Sequence, residues 1–392
     1  MVVGAGPAGL SAAAELPGCL VLEQGRAHDR RDRQRDVLAG IGGAGLFSDG
    51  KHSFFPAATA LWTLPGPELL AAAVDRTTAL LARHGLVAPA SGTAVAAPAS
   101  GDWQLKPYPS LYMPLERRMD VIAELGRVGG ERWTDAHVVA ARRDGPMLEL
   151  QVARGGRRVD VRTRALIVAT GRLSPRWVRS WLADLGVRFA FRRLEFGVRL
   201  ELAADAPLFD RLVGVDPKLR LALDDATELR TFCTCRDGEV VCGEAGGIFA
   251  WSGRADGPPT GRSSVGLLVR TTDEALARAV APALFAARPS SVPLAAAALS
   301  TLRPIFGERG AALVLHAIDR LLELCPDTRH DPRAVIHAPC IEGVGDYPVD
   351  DGALQVAPGV WVAGDLCGRF RGIVAGMVSG RYAALRLLRA TR

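Results

Sequence analysis

Apolar positions along the chain predict a parallel sheet that is assembled from widely separated segments. The chain begins with a short apolar strand at 2–3, an alanine-rich helix over 10–15 and a second apolar strand at 20–22. Two further continuous apolar runs occupy 165–168 and 359–363. Such runs are typical of strands that are buried on both faces of a parallel sheet. The beginning, middle and end of the chain are therefore expected to share one sheet.

The intervening sequence predicts two helices and a β-meander. Apolar residues recur at helical spacing over 66–84, which ends at His84-Gly85, and over 115–128, which ends at Gly129-Gly130. Residues 88–101 are rich in Ala, Pro, Ser and Gly and predict a loop. Strand patterns follow at 138–139, 148–152 and 159–162, with turns at 144–146 and 155–156.

Residues 175–340 have a different pattern, which predicts an antiparallel sheet with helices. Phe196, Val198, Leu200 and Leu202 alternate with small or charged residues, which is the period of a half-buried strand. Residues 230–241 predict a hairpin that turns at 236–238, and a further strand is expected at 265–269. Helices are expected over 272–288 and 308–325. This region is interpreted as a substrate domain.

A glycine motif, Gly4-x-Gly6-x-x-Gly9, joins the first strand to the first helix. In a nucleotide-binding turn the first glycine permits the tight turn, the second lets the backbone approach a pyrophosphate, and the third allows close packing of helix and strand. Glu23 ends the second strand, 19 residues after Gly4, where its carboxylate can accept hydrogen bonds from an adenosine ribose. The motif predicts a bound adenine dinucleotide but does not separate NAD from FAD.

A second glycine-rich segment covers 41–51 and contains four glycines within nine residues. This density makes a regular helix or strand improbable. Consecutive backbone N–H groups in such a loop can form an anion-binding nest. Ser48, Asp49 and Lys51 place hydrogen-bonding groups and a cation at its end.

Composition is that of a folded protein large enough for two domains or one composite domain. The 392 residues are 48% hydrophobic and 23% charged, with a net charge of +6. Lysine occurs only at 51, 106 and 218, so arginine supplies nearly all of the positive charge. Acids are interleaved in the densest basic stretch, 26–35, and they largely compensate it. Because this pattern resembles a compositional bias, no nucleic-acid partner is expected.

Seven scattered cysteines do not form a disulfide framework. The spacing of Cys233-x-Cys235 and Cys242 fits no standard zinc pattern, and alternate strand positions put the first two on one face, so core packing is expected and no metal. No apolar run approaches a membrane span. Met1 directly precedes the first strand, which leaves no room for a signal peptide, although the natural start could lie upstream. These features favour a cytoplasmic protein without a membrane partner.

Three elements together resemble the glutathione-reductase-type FAD fold: the Gly4–Gly9 motif with Glu23, the strand ending at Ala169-Thr170-Gly171, and Val362–Asp365 with Arg371-Gly372-Ile373. The resemblance implies that Asp365 binds the ribityl chain and that the helix after Gly372 faces the pyrimidine edge of the flavin. Segments 42–51, 195–199, 230–235 and 368–373 further resemble a family of uncharacterised bacterial FAD-dependent dehydrogenases, members of the NAD(P)/FAD-dependent oxidoreductases. The chain departs from that family at Trp251-Ser252-Gly253, so no substrate is implied.

The fold expected is α/β, with a Rossmann-like FAD-binding domain (parallel sheet plus β-meander) and an inserted α+β substrate domain built on an antiparallel sheet. The FAD-binding domain would comprise 1–60, 102–174 and 341–392, with a helical segment at 61–101 and the substrate domain at 175–340. Motifs and resemblance together assign non-covalent FAD binding to Gly4, Gly6, Pro7, Ala8, Gly9, Glu23, Gln24, Gly43, Ala44, Phe47, Ser48, Lys51, Val138, Ala169, Thr170, Gly171, Gly364, Asp365, Arg371, Gly372 and Ile373.

The leading functional hypothesis is an FAD-dependent oxidoreductase, a dehydrogenase or oxidase, that moves a hydride between a small organic substrate and flavin N5. Lys51, His52 and Arg199 are the candidate catalytic residues, with His52 as a base that titrates near neutrality or, alternatively, as a core histidine. Arg199 and Arg230 could bind a substrate carboxylate or pair with Glu195 and Glu201. Tyr112 is a weaker candidate.

Three alternatives stay open. The first is a flavin monooxygenase reduced by external NAD(P)H, since no second nucleotide motif is found; its Asp-Gly element would have to be Asp144-Gly145, which also suits a hairpin turn. The second is a flavin-fold protein that modifies RNA, and the third is a protein that uses FAD only as structure.

Overall fold

The structure, a computed structural model, describes residues 1–90, 101–106, 108–128 and 130–391. Most of the predicted loop 88–101, and Gly129 of the predicted helix stop, lie outside the described residues. Labels follow chain order. The helices are α1 Pro7–Ala14, α2 Gly43–Leu46, α3 Pro67–Arg83, α4 Leu115–Val128, α5 Pro175–Asp184, α6 Leu208–Arg211, α7 Glu274–Ala286, α8 Leu299–Leu322 and α9 Ile373–Ala390.

The strands are β1 Val2–Val3, β2 Val21–Leu22, β3 Lys51–Ser53, β4 Gln104–Leu105, β5 Ser110–Tyr112, β6 Arg132–Trp133, β7 Ala136–Asp144, β8 Met147–Arg154, β9 Arg157–Thr163, β10 Leu166–Val168, β11 Phe189–Ala203, β12 Leu219–Ala222, β13 Thr227–Cys235, β14 Glu239–Ala245, β15 Ile248–Arg254, β16 Arg262–Thr271, β17 Ser290–Pro293, β18 Val335–Pro348, β19 Gln355–Ala357 and β20 Val360–Val362. Contacts divide the chain into one unit of 1–93, 109–190 and 346–392 and a second of 94–108 and 191–345. The first unit thus includes α3 and α5.

The first unit is built on a Rossmann-like sheet of order β19-β20-β10-β1-β2-β6. Strands β20, β10, β1, β2 and β6 run parallel, and β19 is antiparallel. Val2 lies opposite Ile167, which lies opposite Trp361, so the beginning, middle and end of the chain meet in one register. The predicted parallel sheet is confirmed. Strands β1, β2, β10 and β20 are continuous apolar runs, and both of their faces are buried.

Helix α1 packs directly against α9 at a glycine. A Cβ atom on Gly380 would lie 2.0 Å from the Ala8 carbonyl oxygen, so the two backbones touch at this point. One turn earlier the separation is ordinary, since a Cβ on Gly376 would approach Ala8 only to 3.9 Å. Glycine recurs every four residues at 372, 376 and 380, and of these Gly380 is the position at which any side chain is excluded.

The β-meander forms as predicted. Strands β7, β8 and β9 pair in succession as an antiparallel sheet. The first connection turns at Asp144-Gly145-Pro146, where Gly145 has a φ of +56° and Asp144 forms an ion pair with Arg162. Asp144-Gly145 is therefore hairpin-turn chemistry, as one of the two interpretations held.

The second unit is built on a sheet of order β17-β18-β11-β16-β13-β12-β4. Its central pair, β11 and β16, is antiparallel over ten residues, from Leu194–Thr271 to Ala203–Arg262. Both α7 and α8 contact β16. Strand β11 is buried on both faces from 194 to 200, so the prediction of a half-buried strand was wrong. Its polar positions are covered as well, and Arg199 is 2% exposed.

The predicted hairpin over 230–241 was wrong. Strand β13 pairs with β12 and β16, whereas β14 pairs with β15 in a separate two-stranded sheet. A bulge between Phe232 and Cys235, with Cys233 at a φ of +51°, interrupts the ladder. The bulge ends the regular pairing of β13 before the turn at 236–238, so β14 does not continue back along it.

Helix α7 lies within the predicted range, and the Asp273 carboxylate caps it by accepting from Leu276 N at 3.1 Å. Helix α8 begins at Leu299, nine residues before the predicted start at 308, and it bends at Gly307, whose φ is +69°. Proline and glycine usually interrupt helices, so Pro304 and Gly307 kept the sequence pattern from predicting the first two turns of α8. None of the described helices has the length and apolar content needed to cross a bilayer.

The contact at Gly380 predicts an asymmetry between two glycines of one helix. Gly380→Ala should lower the free energy of unfolding by about 2 kcal/mol or more, because the new methyl group overlaps the Ala8 backbone. Gly376→Ala is the matched control, and it should be neutral or stabilise by up to about 1 kcal/mol through helix propensity. Urea unfolding of both variants measures the difference. Equal effects would contradict the close packing of α1 and α9.

Candidate functional site

The glycine motif forms a tight turn at the carboxyl end of β1. Gly4 has a φ of +98°, and a Cβ on it would lie 2.5 Å from the Ala169 carbonyl oxygen. A Cβ on Gly9 would lie 1.8 Å from the Gly4 carbonyl oxygen, so α1 packs against the turn itself. Gly4 and Gly9 therefore have the roles of tight turn and close packing that their spacing indicates. Gly6 is the N-cap of α1 and has no side chain to occupy the free N–H groups.

The glycine-rich segment packs on the beginning of α1. A Cβ on Gly43 would lie 2.8 Å from Gly6 Cα, and one on Gly45 would lie 2.8 Å from Pro7 Cγ and 3.4 Å from Ile373 Cγ1. The segment contains a single helical turn, α2, so the expectation of no helix there was wrong. Gly42 and Gly43 adopt φ values of +93° and +55°, which start this turn. Ala44 is exposed and Phe47 is buried.

Two buried arginines, which the sequence analysis did not single out, hold this segment through its carbonyl oxygens. Arg31 Nη1 donates to Ile41 O at 2.9 Å and to Gly43 O at 3.0 Å, and its guanidinium lies over the Phe47 ring. Burial lowers the pKa of Arg31 to about 10, which still leaves it charged at neutral pH. Arg118 Nη1 donates to Gly45 O at 3.1 Å and to Ser48 O at 3.2 Å.

Glu23 holds the glycine motif to the next loop. Its Oε2 accepts from Ala5 N at 2.8 Å, and its Oε1 accepts from Gly25 N at 2.9 Å and Gly40 N at 3.0 Å. The carboxylate therefore ties three loop segments together, a structural role that the spacing of the motif does not reveal. A carboxylate has about four acceptor positions, so one is left for a ribose hydroxyl.

Two further residues that were predicted to bind FAD, Gln24 and Val138, lie around Glu23. Gln24 is exposed beside it. The Glu23 carbonyl oxygen accepts from Ala136 N at 2.9 Å, which fixes the start of β7 next to β2. Val138 is buried two residues further along that strand.

The segments at 169–171 and 364–365 end neighbouring strands of the same sheet. Thr170 Oγ1 and Ser174 Oγ are 2.7 Å apart, and Ser174 Oγ donates to Gly171 O at 2.7 Å. A Cβ on Gly364 would lie 2.8 Å from Ala8 Cβ, so the end of β20 contacts α1. The structure therefore brings the glycine motif and the Gly364-Asp365 segment to one edge of the sheet, as the resemblance implies.

Asp365 has one carboxylate oxygen in use and one that is buried without a hydrogen-bond partner in the described part of the chain. Its Oδ2 accepts from Arg371 Nε at 2.9 Å. Its Oδ1 is buried and has no hydrogen-bond partner among the described residues. A buried carboxylate oxygen without a donor is costly, so it calls for a donor from a ligand. Gly372, with a φ of +103°, then caps α9 without a side-chain hydrogen bond.

These features fit a flavin dinucleotide. Two helices with glycine N-caps, α1 and α9, begin where the strands of the parallel sheet end and leave backbone N–H groups unused by side chains. The buried Oδ1 of Asp365 can accept from a hydroxyl group. Both chemical requirements, donors for phosphate oxygens and an acceptor for a polyol, are met by residues of the first unit.

The candidate catalytic residues have other partners. Lys51 Nζ lies 3.1 Å from Asp49 Oδ2. Arg199, in the second unit, donates from Nε to Ser264 Oγ at 3.0 Å and from Nη2 to Cys233 O at 2.6 Å, so its donors hold the bulge of β13. Of the ion pairs left open for Arg199 and Arg230, the pair of Arg230 with Glu195 is present at 3.6 Å, whereas Glu201 pairs with Arg262 and His337.

His52 is a core histidine. It is 1% exposed, and its Nδ1 lies 3.1 Å from Gly50 O, so Nδ1 carries the proton. Burial lowers the pKa of His52 to about 4, which contradicts titration near neutrality. Tyr112 pairs with Lys51 across β3 and β5 and is 44% exposed.

No protein-family model matches the chain, and no curated protein matches it. Among solved structures it is similar to a flavoprotein/dehydrogenase from Cytophaga hutchinsonii, at 10% identity and a TM-score of 0.47 over 99% of this chain and 77% of that one. OxyS anhydrotetracycline hydroxylase from Streptomyces rimosus has 14% identity and a TM-score of 0.43 over 100% of this chain and 62% of its own. Aklavinone-11 hydroxylase, solved with FAD and aklavinone, has 14% identity and a TM-score of 0.49, again over 100% and 62%. The chain thus spans less than two thirds of either hydroxylase, and likeness at these scores identifies no activity.

The burial of His52 predicts a pH dependence of stability. Its pKa is lower in the folded protein than the ordinary value of 6.5, so between pH 6.5 and about 4 the unfolded chain binds more protons. The contribution is complete above pH 6.5 and is lost as the pH falls to about 4, amounting to ~3 kcal/mol. His52→Gln should flatten the pH profile of the unfolding free energy in this window. His316→Gln, at an exposed position, is the control and should keep the wild-type slope. Identical slopes in all three proteins would show that His52 is not buried as a neutral group.

Proposed function

We propose that the chain is an FAD-dependent oxidoreductase that moves a hydride between a small organic substrate and flavin N5. The observation that supports it most is the buried, unpartnered Oδ1 of Asp365 at an edge of the sheet where the glycine motif also lies. Leaving a buried acceptor without a donor costs about 1–3 kcal/mol or more, and a hydroxyl group of a bound ligand would offset that cost.

Each part of the site has a task in holding the cofactor. The N-terminus of α1, with Gly6 as its cap, would bind the pyrophosphate through backbone N–H groups. Glu23 would accept from the adenosine ribose with its remaining acceptor position. Asp365 would accept from a ribityl hydroxyl, and Arg371 holds its other oxygen in place.

When bound, the flavin supplies the hydride acceptor, and the chain supplies orientation and electrostatics. The N-terminus of α9, which has no side-chain cap, would stabilise negative charge that develops on the pyrimidine edge of the ring. Because Lys51 is paired with Asp49 and His52 is neutral and buried, neither is proposed as the proton acceptor.

The competing function, an NAD(P)H-dependent monooxygenase, makes a different demand. Its Asp-Gly element would be Asp144-Gly145, yet these residues form the exposed turn of the β7–β8 hairpin. Reduction of the loaded protein by an organic substrate under anaerobic conditions supports the dehydrogenase or oxidase proposal. Reduction by NAD(P)H alone, followed by oxygen-dependent hydroxylation of an organic substrate, would favour the monooxygenase.

Asp365→Asn should weaken FAD binding by about 10- to 100-fold, because a hydrogen bond to a charged acceptor contributes about 1.5–3 kcal/mol. The purified protein should show a flavin spectrum or take up added FAD, and fluorescence quenching measures the affinity. The control is Asp120→Asn, on the exposed surface of α4, which should bind FAD as the wild type does. A wild-type protein that takes up no FAD in excess, or an unchanged affinity in Asp365→Asn, would refute the proposed function.

A further inference from the structure

The seven-stranded sheet of the second unit carries a cluster of charged residues on one face. Phe196, Val269 and Leu229 lie side by side on β11, β16 and β13 and are fully buried. The Phe196 ring is 5.8 Å from the Phe306 ring on α8, so this is the helix-covered face. Because neighbouring strand residues point to opposite faces, the adjacent residues Glu195, Arg270 and Glu228 form a row on the other face.

In this cluster two carboxylates are shared by four guanidinium groups. Glu195 forms ion pairs with Arg193, with Arg270 at 3.5 Å and with Arg230 at 3.6 Å. Glu228 forms ion pairs with Arg220, with Arg270 at 3.1 Å and with Arg230 at 4.0 Å. Each carboxylate therefore already contacts three cations, and positive charge is in excess across these contacts.

Arg230 is the guanidinium of the cluster that has no close acceptor. Its ion-pair distances of 3.6 and 4.0 Å are too long for hydrogen bonds, and within the described part of the chain its side chain donates none. Its Nε is buried without a partner, and the side chain is only 14% exposed. Arg270 uses Nη1 for Glu228 at 3.1 Å, and its Nη2 donates to none of the described residues. Donors of both guanidinium groups are thus available on the same face.

Several cationic groups of the cluster lie close together. Burial lowers the pKa of Arg270, the charges of Arg193 and Arg230 lower it further, and the charges of Glu195 and Glu228 oppose the change. Burial is also the main cause that lowers the pKa of Lys106, and the charges of Arg230, Arg220, Lys218 and Arg270 add to it. The cations that would attract an anion are therefore near one another.

We propose that Arg230, with Arg270 beside it, binds an oxyanion, either the carboxylate or the phosphate group of a small-molecule ligand. A guanidinium presents its N–H donors in a planar fork that matches either group bidentately. The partial burial of both side chains, 14% and 32% exposed, suits a single small group rather than a broad polyanion surface. This inference concerns the second unit alone and does not depend on FAD.

The test is calorimetric titration of the purified full-length protein with inorganic phosphate and, separately, with succinate, at low and constant ionic strength. The wild type should bind at least one of the two anions. The anion that binds more tightly shows whether the site prefers a phosphate or a carboxylate group. Arg230→Gln should weaken that binding by tenfold or more. Arg303→Gln, an exposed arginine of α8, is the matched control and should leave the affinity unchanged.

A second variant distinguishes binding from a purely structural ion network. Glu228→Gln removes a charge that competes for Arg270, so it should tighten anion binding severalfold, even if it lowers stability. If the ion network is purely structural, Glu228→Gln should lower the stability without tightening anion binding. The proposal is overturned if neither anion binds the wild type, if Arg230→Gln folds and binds as the wild type does, or if Glu228→Gln does not bind more tightly. Because the calorimetric signal requires no flavin, failure of the FAD site leaves this test intact.

Discussion

The first unit depends on backbone contacts that leave no space for side chains. At Gly4, Gly9 and Gly380 a single methyl group would overlap a carbonyl oxygen of another segment. These contacts bring the turn after β1, the end of β10 and helix α9 to within van der Waals distance of one another. The edge of the sheet where a dinucleotide would bind therefore exists only because glycine occupies these positions. This backbone positions Asp365, whereas the Glu23 carboxylate in turn holds the loops together.

Buried arginines stabilise the irregular backbone around that edge and in the second unit. Arg31 and Arg118 donate to carbonyl oxygens of the glycine-rich segment, and Arg199 donates to Cys233 O at the bulge of β13. A loop with few internal hydrogen bonds leaves carbonyl oxygens unpaired, and a guanidinium can satisfy several of them at once. In a chain with three lysines, arginine is thus a structural residue as well as the source of net charge. Arg230 stands apart because its donors have no such acceptor.

The sequence was informative where a local pattern determines the structure. The glycine spacing, the apolar strands and the helices over 67–83 and 115–128 depend on neighbours within a few residues, and they were predicted. The pairing of β14 with β15 was not predicted, because the bulge at Cys233 depends on a contact with Arg199, which is 34 residues away. The contacts of Arg31 with backbone carbonyl oxygens and the burial of His52 were not predicted either. Expectations for residues at 91–100 and for Gly129 stay predictions.

The order of strands in the Rossmann-like sheet constrains how the protein is made. Strand β1 pairs with β2 about 19 residues later, yet its other partner β10 follows about 165 residues later, and β20 and α9 are synthesised later still. At a synthesis rate of about 5–20 residues per second, the first glycine turn waits roughly 20 to 70 seconds for its last neighbours. During this time β1 and β2 lack their neighbour β10, so the apolar edge of β1 would stay uncovered. A cofactor that binds at this edge would then be taken up only after α9 has been synthesised.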